Sequence, residues 1–386
     1  MNDQHTGLHV SEMTSLQTPC ALIDESRLTR NIDRLRSHIR DLGVTFRPHL
    51  KTVKCAEIAR RMMTSPTGPA AVSTLLEAEQ FGSIGVRDIL YTVGIAPGKL
   101  DRVLTLRRAG IDLSVIVDSR EQAQAVAAAS RAAADPIPTL IEIDCDGHRG
   151  GIAPDEPLLL GIAQDLHGSG ACLRGVMTHA GESYNNPGEA ALVRAAEAER
   201  DAVVTAAKRL REFGLPCDVV SVGSTPTAHF ARDLSGVTEV RAGVYAFFDL
   251  VMAGLGVCNV GDIALSVLAT VIGHQRDKGW TLVDAGWMAM SRDRGTASQA
   301  LDQGYGLVCD RSGVPFQDLI VSQANQEHGI LAIRSGSHVA SPQLPLGTLI
   351  RILPNHACAT AAQYDRYHIL DAQQRLTSQW PRFSGW

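Results

Sequence analysis

A parallel α/β barrel followed by a second, mostly β domain is the fold class this sequence predicts. Three observations predict it. Eight short β-rich runs alternate with longer amphipathic segments between about residues 44 and 241, each spacer is long enough for a right-handed crossover, and after Asp249 the helical period fades. A chain of 386 residues exceeds what one ordinary core supports, so a barrel domain over 25–260 and a β domain over 1–24 plus 261–386 are expected.

The eight runs are 45–49, 71–73, 89–92, 113–117, 139–144, 173–178, 219–222 and 238–241, each rich in β-branched or aromatic residues. Between them, 121–134 is alanine-rich, and 189–213 mixes alanine, glutamate, arginine and leucine before the stop signal Gly214. A further helix is expected over 52–63. Later strands are expected at 264–272, 280–284, 329–333 and 348–353, with turn-rich loops between them. An early run, 19–24, precedes the barrel count and is expected to return to the β domain.

Composition narrows the partners. Net charge is −5 with both signs interspersed, and no basic stripe carries interleaved aromatics, so a nucleic-acid partner is not expected. No apolar run approaches the ~18 residues that span a bilayer, so no membrane residence is expected. Eight cysteines lie scattered without a repeated framework, and the polar first residues lack a signal peptide's apolar centre; reduced thiols in a cytoplasm are the expectation. A small-molecule ligand remains.

In such a barrel the chemistry sits just after the strands. Lys51 ends the first run with Pro48 before it. A lysine there is commonly a solvated charge, but burial lowers its proton affinity and lets it form a Schiff base with a carbonyl cofactor. His356 and Cys358 place imidazole and thiol two residues apart, either as core residues or as ligands for a soft divalent metal. The loop after 139–144 carries His148 and Arg149 among glycines, and reads as a solvated loop or as a reach toward a cofactor.

His179 follows 173–178, where its flat ring can stack on another ring or merely hydrogen-bond. Residues 221–227 and 242–245 set glycines among hydroxyl-bearing neighbours after the last two runs. That is the usual barrel phosphate site, and also ordinary turn chemistry. Competing motifs fail: Gly94 to Lys99 is too short for a nucleotide loop and Leu100 replaces its hydroxyl residue. Without a Gly-x-Ser-x-Gly, a His-Glu-x-x-His or a Gly-x-Gly-x-x-Gly after the first strand, hydrolase, zincin, kinase and Rossmann readings drop out.

Taken together, Arg47-Pro-His49-x-Lys51-Thr52, Asp144-x-Asp146-Gly-His148-Arg149, Thr178-His179-Ala-Gly181, Val222-Gly223-Ser224-Thr225-Pro-Thr227, Arg241-Ala-Gly243-Val-Tyr245, Asp284-Ala-Gly286-Trp287, Gln326-Glu-His328-Gly329 and Pro354-Asn-His356-Ala-Cys358 resemble a known group. It is the fold-type III pyridoxal phosphate enzymes of the D-serine dehydratase and D-threonine aldolase group, and the likeness runs from about Thr18 to Trp386. The resemblance implies an alanine-racemase-like (β/α)8 TIM barrel with a β domain, in a homodimer. It implies that Lys51 carries pyridoxal 5'-phosphate, that Ser224, Thr225, Gly243 and Tyr245 surround the phosphate, that His179 stacks on the ring and that Arg149 lies near its nitrogen. His356 and Cys358 would bind a divalent metal: zinc, manganese or magnesium.

The activity implied is elimination of water from a small D-3-hydroxyamino acid, with D-threo-3-hydroxyaspartate giving oxaloacetate and ammonia as the expected case and D-serine giving pyruvate as a further one. Retro-aldol cleavage to glycine and an aldehyde is the alternative within the group. There the aldolase branch usually has aspartate where this chain has Cys358, which favours the dehydratase branch. A non-catalytic pyridoxal phosphate carrier is the reading from another class; a carrier needs neither a partner domain nor a metal pair.

Overall fold

The computed structural model describes residues 13–386. The chain forms two compact units: Asp33–Tyr245 with Gly385–Trp386, and the residues up to Ile32 with Ala246–Ser384.

A strand with two apolar faces belongs in a sheet covered on both sides, and the central runs of the first unit are mostly buried, Pro138–Ile143 throughout. Counting from β1 (Cys20–Asp24) of the other unit, its strands are β2 (Thr45–Pro48), β3 (Ala70–Val72), β4 (Asp88–Gly94), β5 (Asp112–Val117), β6 (Pro138–Ile143), β7 (Cys172–Thr178), β8 (Val219–Val222) and β9 (Glu239–Ala242). All pair in parallel in the order β2-β9-β8-β7-β6-β5-β4-β3. The bridge from His49 to Ala71 joins the two ends and closes the sheet into a barrel. Two of the helices between strands begin at a hydroxyl cap: Thr74 accepts from the Glu77 amide and Ser119 from the Gln122 amide.

Leu90, Ile116, Leu140 and Met177 form an apolar cluster with Val219 packed against it. A polar column also runs inside the sheet. The Arg47 guanidinium donates to Asp88 Oδ1 at 2.7 Å and to Glu239 Oε2 at 2.9 Å. Ser221 gives its proton to Glu239 Oε1 at 2.8 Å and accepts from Arg241 Nε at 2.9 Å, while Arg241 reaches on to the Thr178 carbonyl.

In the other unit, β10 (Leu265–Gln275), β11 (Trp280–Val283), β12 (Gly306–Cys309), β13 (Pro315–Ala324), β14 (Gly329–Ile333), β15 (Leu349–Pro354), β16 (Arg366–Leu370) and β17 (Leu376–Pro381) join β1 in one sheet. Its order is β11-β14-β13-β12-β15-β10-β1-β16-β17, and an added pairing of β11 with β10 closes six of these strands into a ring. Val267, Val271, Val283, Val308, Leu319, Val321, Leu331 and Ile352 fill its core. Strand β1 lies between β10, which it meets antiparallel, and β16, which it meets in parallel.

Two local expectations change. The helix expected from 52 begins only at Ala56, because residues 50–53 form a turn and Lys54 takes a left-handed φ of 42°. Strands β12, β13, β16 and β17 had no counterpart in the sequence reading. Among the described residues no helix is long and apolar enough to cross a membrane.

Gly175 in β7 has φ 148°, and a Cβ there would stand 1.9 Å from the Val219 carbonyl oxygen of the adjacent strand. Gly175→Ala is therefore expected to lower unfolding stability by about 2–4 kcal/mol in urea melts. Gly214→Ala, at a helix end with φ 71° and nothing within 4 Å of the new methyl, should lose only about 1 kcal/mol.

Candidate active site

The barrel closes at His49, and that closure fixes Lys51. His49 N–H donates to the Ala242 carbonyl at 2.7 Å and Leu50 N–H to the Ala71 carbonyl at 2.9 Å. Thr92 gives its single hydroxyl proton to the Val72 carbonyl at 3.0 Å, so its contact with His49 Nε2, also 3.0 Å, is one in which the imidazole donates. Nδ1 of His49 then carries the lone pair and accepts the backbone N–H of Lys51 at 3.3 Å. The Lys51 side chain is exposed at the carboxyl end of β2. Beyond it, Lys54 Nζ pairs with Glu77 Oε1 at 3.3 Å, anchoring the far side of the turn.

His179 follows β7, and its Nδ1 donates to the Gly223 carbonyl at 2.6 Å, leaving Nε2 as an acceptor. Burial first, then the charge of Arg149, pulls its pKa down to about 3. Burial likewise depresses His49 strongly, aided by Lys51, Arg241, His179 and Arg149. Both rings are therefore neutral at physiological pH, in a setting of gathered cations. Arg149 is half exposed and stands 3.6 Å from Glu142 Oε1 on β6.

The loops after β8 and β9 supply the remaining barrel residues. Ser224 is more committed than the sequence reading supposes: its Oγ accepts from the Thr227 amide at 3.2 Å and lies 2.9 Å from the Ser183 hydroxyl. Thr225 Oγ1 and Tyr245 Oη are different. Both are buried without a hydrogen-bond partner among the described residues, a cost of roughly 1–3 kcal/mol each unless something else satisfies them. At Gly243 a Cβ would come within 3.0 Å of the His49 carbonyl oxygen, so the backbone passes close there and only glycine fits comfortably. Two orphaned hydroxyls, a lysine and surrounding cations fit an anionic carbonyl cofactor such as pyridoxal phosphate.

The metal pair belongs to the other unit. His356 and Cys358 flank the start of the short helix Ala357–Ala361, just past β15. His356 Nδ1 donates to Asp293 Oδ2 at 2.6 Å, which leaves Nε2 for a metal. Burial works against a charge on this ring, but Asp293, the Cys358 sulfur and Asp249 outweigh it and hold the imidazole well above its ordinary pKa. A cluster that attracts a proton so strongly suits a divalent cation. Asp249 accepts the Ala357 amide at 2.9 Å and the Met252 amide at 3.0 Å, fixing the helix that bears Cys358. Asn355 donates to the Gly304 carbonyl at 2.6 Å and accepts from Thr296 at 2.8 Å. Among the described residues no group of three or more His, Cys, Asp or Glu side chains is arranged to hold a metal by itself.

Sequence reasoning left the roles of His49, Arg241, Glu199 and Asp293 unread. His49 stood inside the quoted motif two residues before Lys51, and that spacing was its available signal. Glu199 and Asp293 offered none, since each reaches its partner across many residues of chain.

Known proteins resemble the chain over its whole length. Residues 23–251 match the family described as alanine racemase, N-terminal domain, and residues 264–370 match the serine dehydratase domain. The D-threo-3-hydroxyaspartate dehydratase of Delftia sp. (strain HT23) is 54% identical over 97% of this chain and 99% of its own, and its solved structure has a TM-score of 0.95 over 97% of this chain and 100% of that one. A histidine-to-alanine variant of D-threo-3-hydroxyaspartate dehydratase, covering 97% of both chains, and a cysteine-to-alanine variant in a metal-free form, covering 97% of this chain and 100% of that one, each have a TM-score of 0.95 at 53% identity. The D-serine dehydratase of Dictyostelium discoideum is 29% identical over 97% of this chain and 98% of its own. With both halves matched in order and a relative this similar from end to end, the chain belongs to the pyridoxal phosphate-dependent family of alanine-racemase-like D-hydroxyamino acid dehydratases.

Proposed function

We propose that this chain eliminates water from D-threo-3-hydroxyaspartate and releases oxaloacetate and ammonia. The observation that carries the reading is the gathering of Lys51, Arg149 and Arg241 about the neutral rings of His49 and His179. Such a field favours a phosphate-bearing cofactor and a substrate with two carboxylates. The end-to-end likeness to a D-threo-3-hydroxyaspartate dehydratase supports the choice of substrate. In that enzyme the substituted histidine and cysteine stand two positions apart, as His356 and Cys358 do here, which supports them as the metal ligands.

When bound, pyridoxal phosphate supplies an electron sink at the substrate's α-carbon, and a divalent ion supplies a Lewis acid that eases loss of hydroxide. Lys51 would hold the cofactor, and its Nζ would be the base for the substrate's α-proton. His49 fixes the backbone from which that base acts. His179, held neutral, offers a flat face without a competing charge. Arg149 would donate hydrogen bonds near the cofactor's ring nitrogen. Thr225 and Tyr245, whose buried hydroxyls lack a partner among the described residues, would hold the phosphate. His356 Nε2 and the Cys358 sulfur would hold the metal, with Asp293 orienting the imidazole. A homodimer and a cytoplasmic location belong to the same proposal; all eight cysteines are free thiols, which supports a reducing compartment.

The direct test is product analysis with pyridoxal phosphate, a divalent metal and D-threo-3-hydroxyaspartate. Oxaloacetate and ammonia are expected, whereas glycine and glyoxylate would move the chain to the aldolase branch. Lys51→Ala should abolish the absorbance of the lysine-bound cofactor and lower turnover by about a thousandfold or more. His356→Ala and Cys358→Ala should each weaken metal affinity in metal titrations by more than the roughly 10–100-fold that loss of an outer-shell partner costs, with elimination lost in step.

A further inference from the structure

The barrel holds a buried carboxylate that the mechanism above does not use. Glu199 lies on the long helix Glu189–Glu212, on the outside of the barrel, yet its side chain is 2% exposed. Its Oε1 accepts the backbone N–H of Ala180 at 2.9 Å and that of Gly223 at 3.0 Å. The Thr227 hydroxyl adds a third hydrogen bond. Ala180 directly follows His179, and Gly223 is the residue whose carbonyl accepts from His179 Nδ1. One carboxyl therefore holds the peptide that joins His179 to Ala180 and the amide of Gly223, the residue whose own carbonyl, one peptide further on, accepts from the imidazole.

The alternatives within the fold are poor. Gly223 has no room to adjust, since a Cβ there would stand 1.9 Å from the Arg241 carbonyl oxygen. The other tie between these loops, the Ser183 to Ser224 hydroxyl contact at 2.9 Å, lies further along both of them. Burial pushes the Glu199 carboxyl's pKa up against the pull of its hydrogen bonds and of Arg241, and in either protonation state Oε1 can accept both amides. No cation pairs with it at hydrogen-bonding range among the ion pairs of the described residues.

We propose that Glu199 is the positioning residue for His179: from the outer helix it clamps the loops after β7 and β8 and so sets the plane of the ring that faces the cofactor. This rests on the reading of His179 given above. Glu199 touches neither cofactor nor substrate, and its effect passes through the peptide groups of Ala180 and Gly223.

The experiment compares Glu199→Gln, Glu199→Asp and Glu199→Ala in the holoenzyme. Visible circular dichroism of the bound cofactor reports its orientation, steady-state kinetics separate kcat from KM, and thermal melts report folding. Glutamine keeps an acceptor oxygen for both amides and should retain the dichroism band and kcat within about threefold. Alanine, and aspartate one methylene too short, should lose the band and about 100-fold in kcat with little change in KM. If Glu199→Ala fails to fold, Glu199→Asp carries the comparison. Folded Ala or Asp variants with a wild-type band and kcat would overturn the proposal, as would a Gln variant that falls as far as Ala. His179→Ala is tested in parallel. An unchanged band there would remove the reading of His179 itself and the proposal with it, whereas a changed band beside silent Glu199 variants would overturn the positioning role alone.

Discussion

Charge buried inside a sheet has to be answered by opposite charge or by hydrogen bonds, and the barrel is organised around that requirement. Asp88, Arg47, Glu239, Ser221 and Arg241 answer one another in sequence along the interior, ending on the Thr178 carbonyl one residue before His179. Arg241 is thereby kept in place where a lone guanidinium would be intolerable. Burial first, and then the charge of Arg241 added to those of Lys51 and Arg149, keeps His49 and His179 unprotonated. The electrostatics of the barrel's chemical end are thus inherited from its floor.

Much of the fold was legible because the relevant physics is local. All eight barrel strands announce themselves by short β-branched runs, and the observed limits shift by only a few residues. Strands β13, β16 and β17 escaped because long stretches of them alternate with polar residues on an exposed face, as in Leu376–Pro381, where no residue is buried. The helix after Lys51 was drawn four residues too early because nothing in the sequence marks Lys54 for a left-handed conformation.

The candidate site was legible to the same extent and for the same reason. Lys51, His179, Ser224 and Tyr245 follow predicted strands directly, so their placement comes with the barrel. What holds them does not. Glu199 projects from a helix whose composition looks like ordinary amphipathic packing, and Asp293 sits in a loop far in sequence from His356. Ser224 was placed about the phosphate by resemblance, and the fold employs its hydroxyl as a helix cap. The partners that orient a reactive group are chosen by three-dimensional proximity, which residue type and spacing do not encode.

Strand β1 has a consequence for how the molecule is made. Leu22 pairs with Ser266 on one side and His368 on the other, so the first strand of the described residues is completed by the last but one. On a ribosome adding roughly 5–20 residues per second, β1 waits roughly 20 to 70 s for β16. All eight barrel strands emerge during that interval. The β unit is therefore the late-maturing part of this protein, and a stalled or shortened chain leaves an unsatisfied strand at its amino end, a sticky edge that quality-control chaperones are suited to shield.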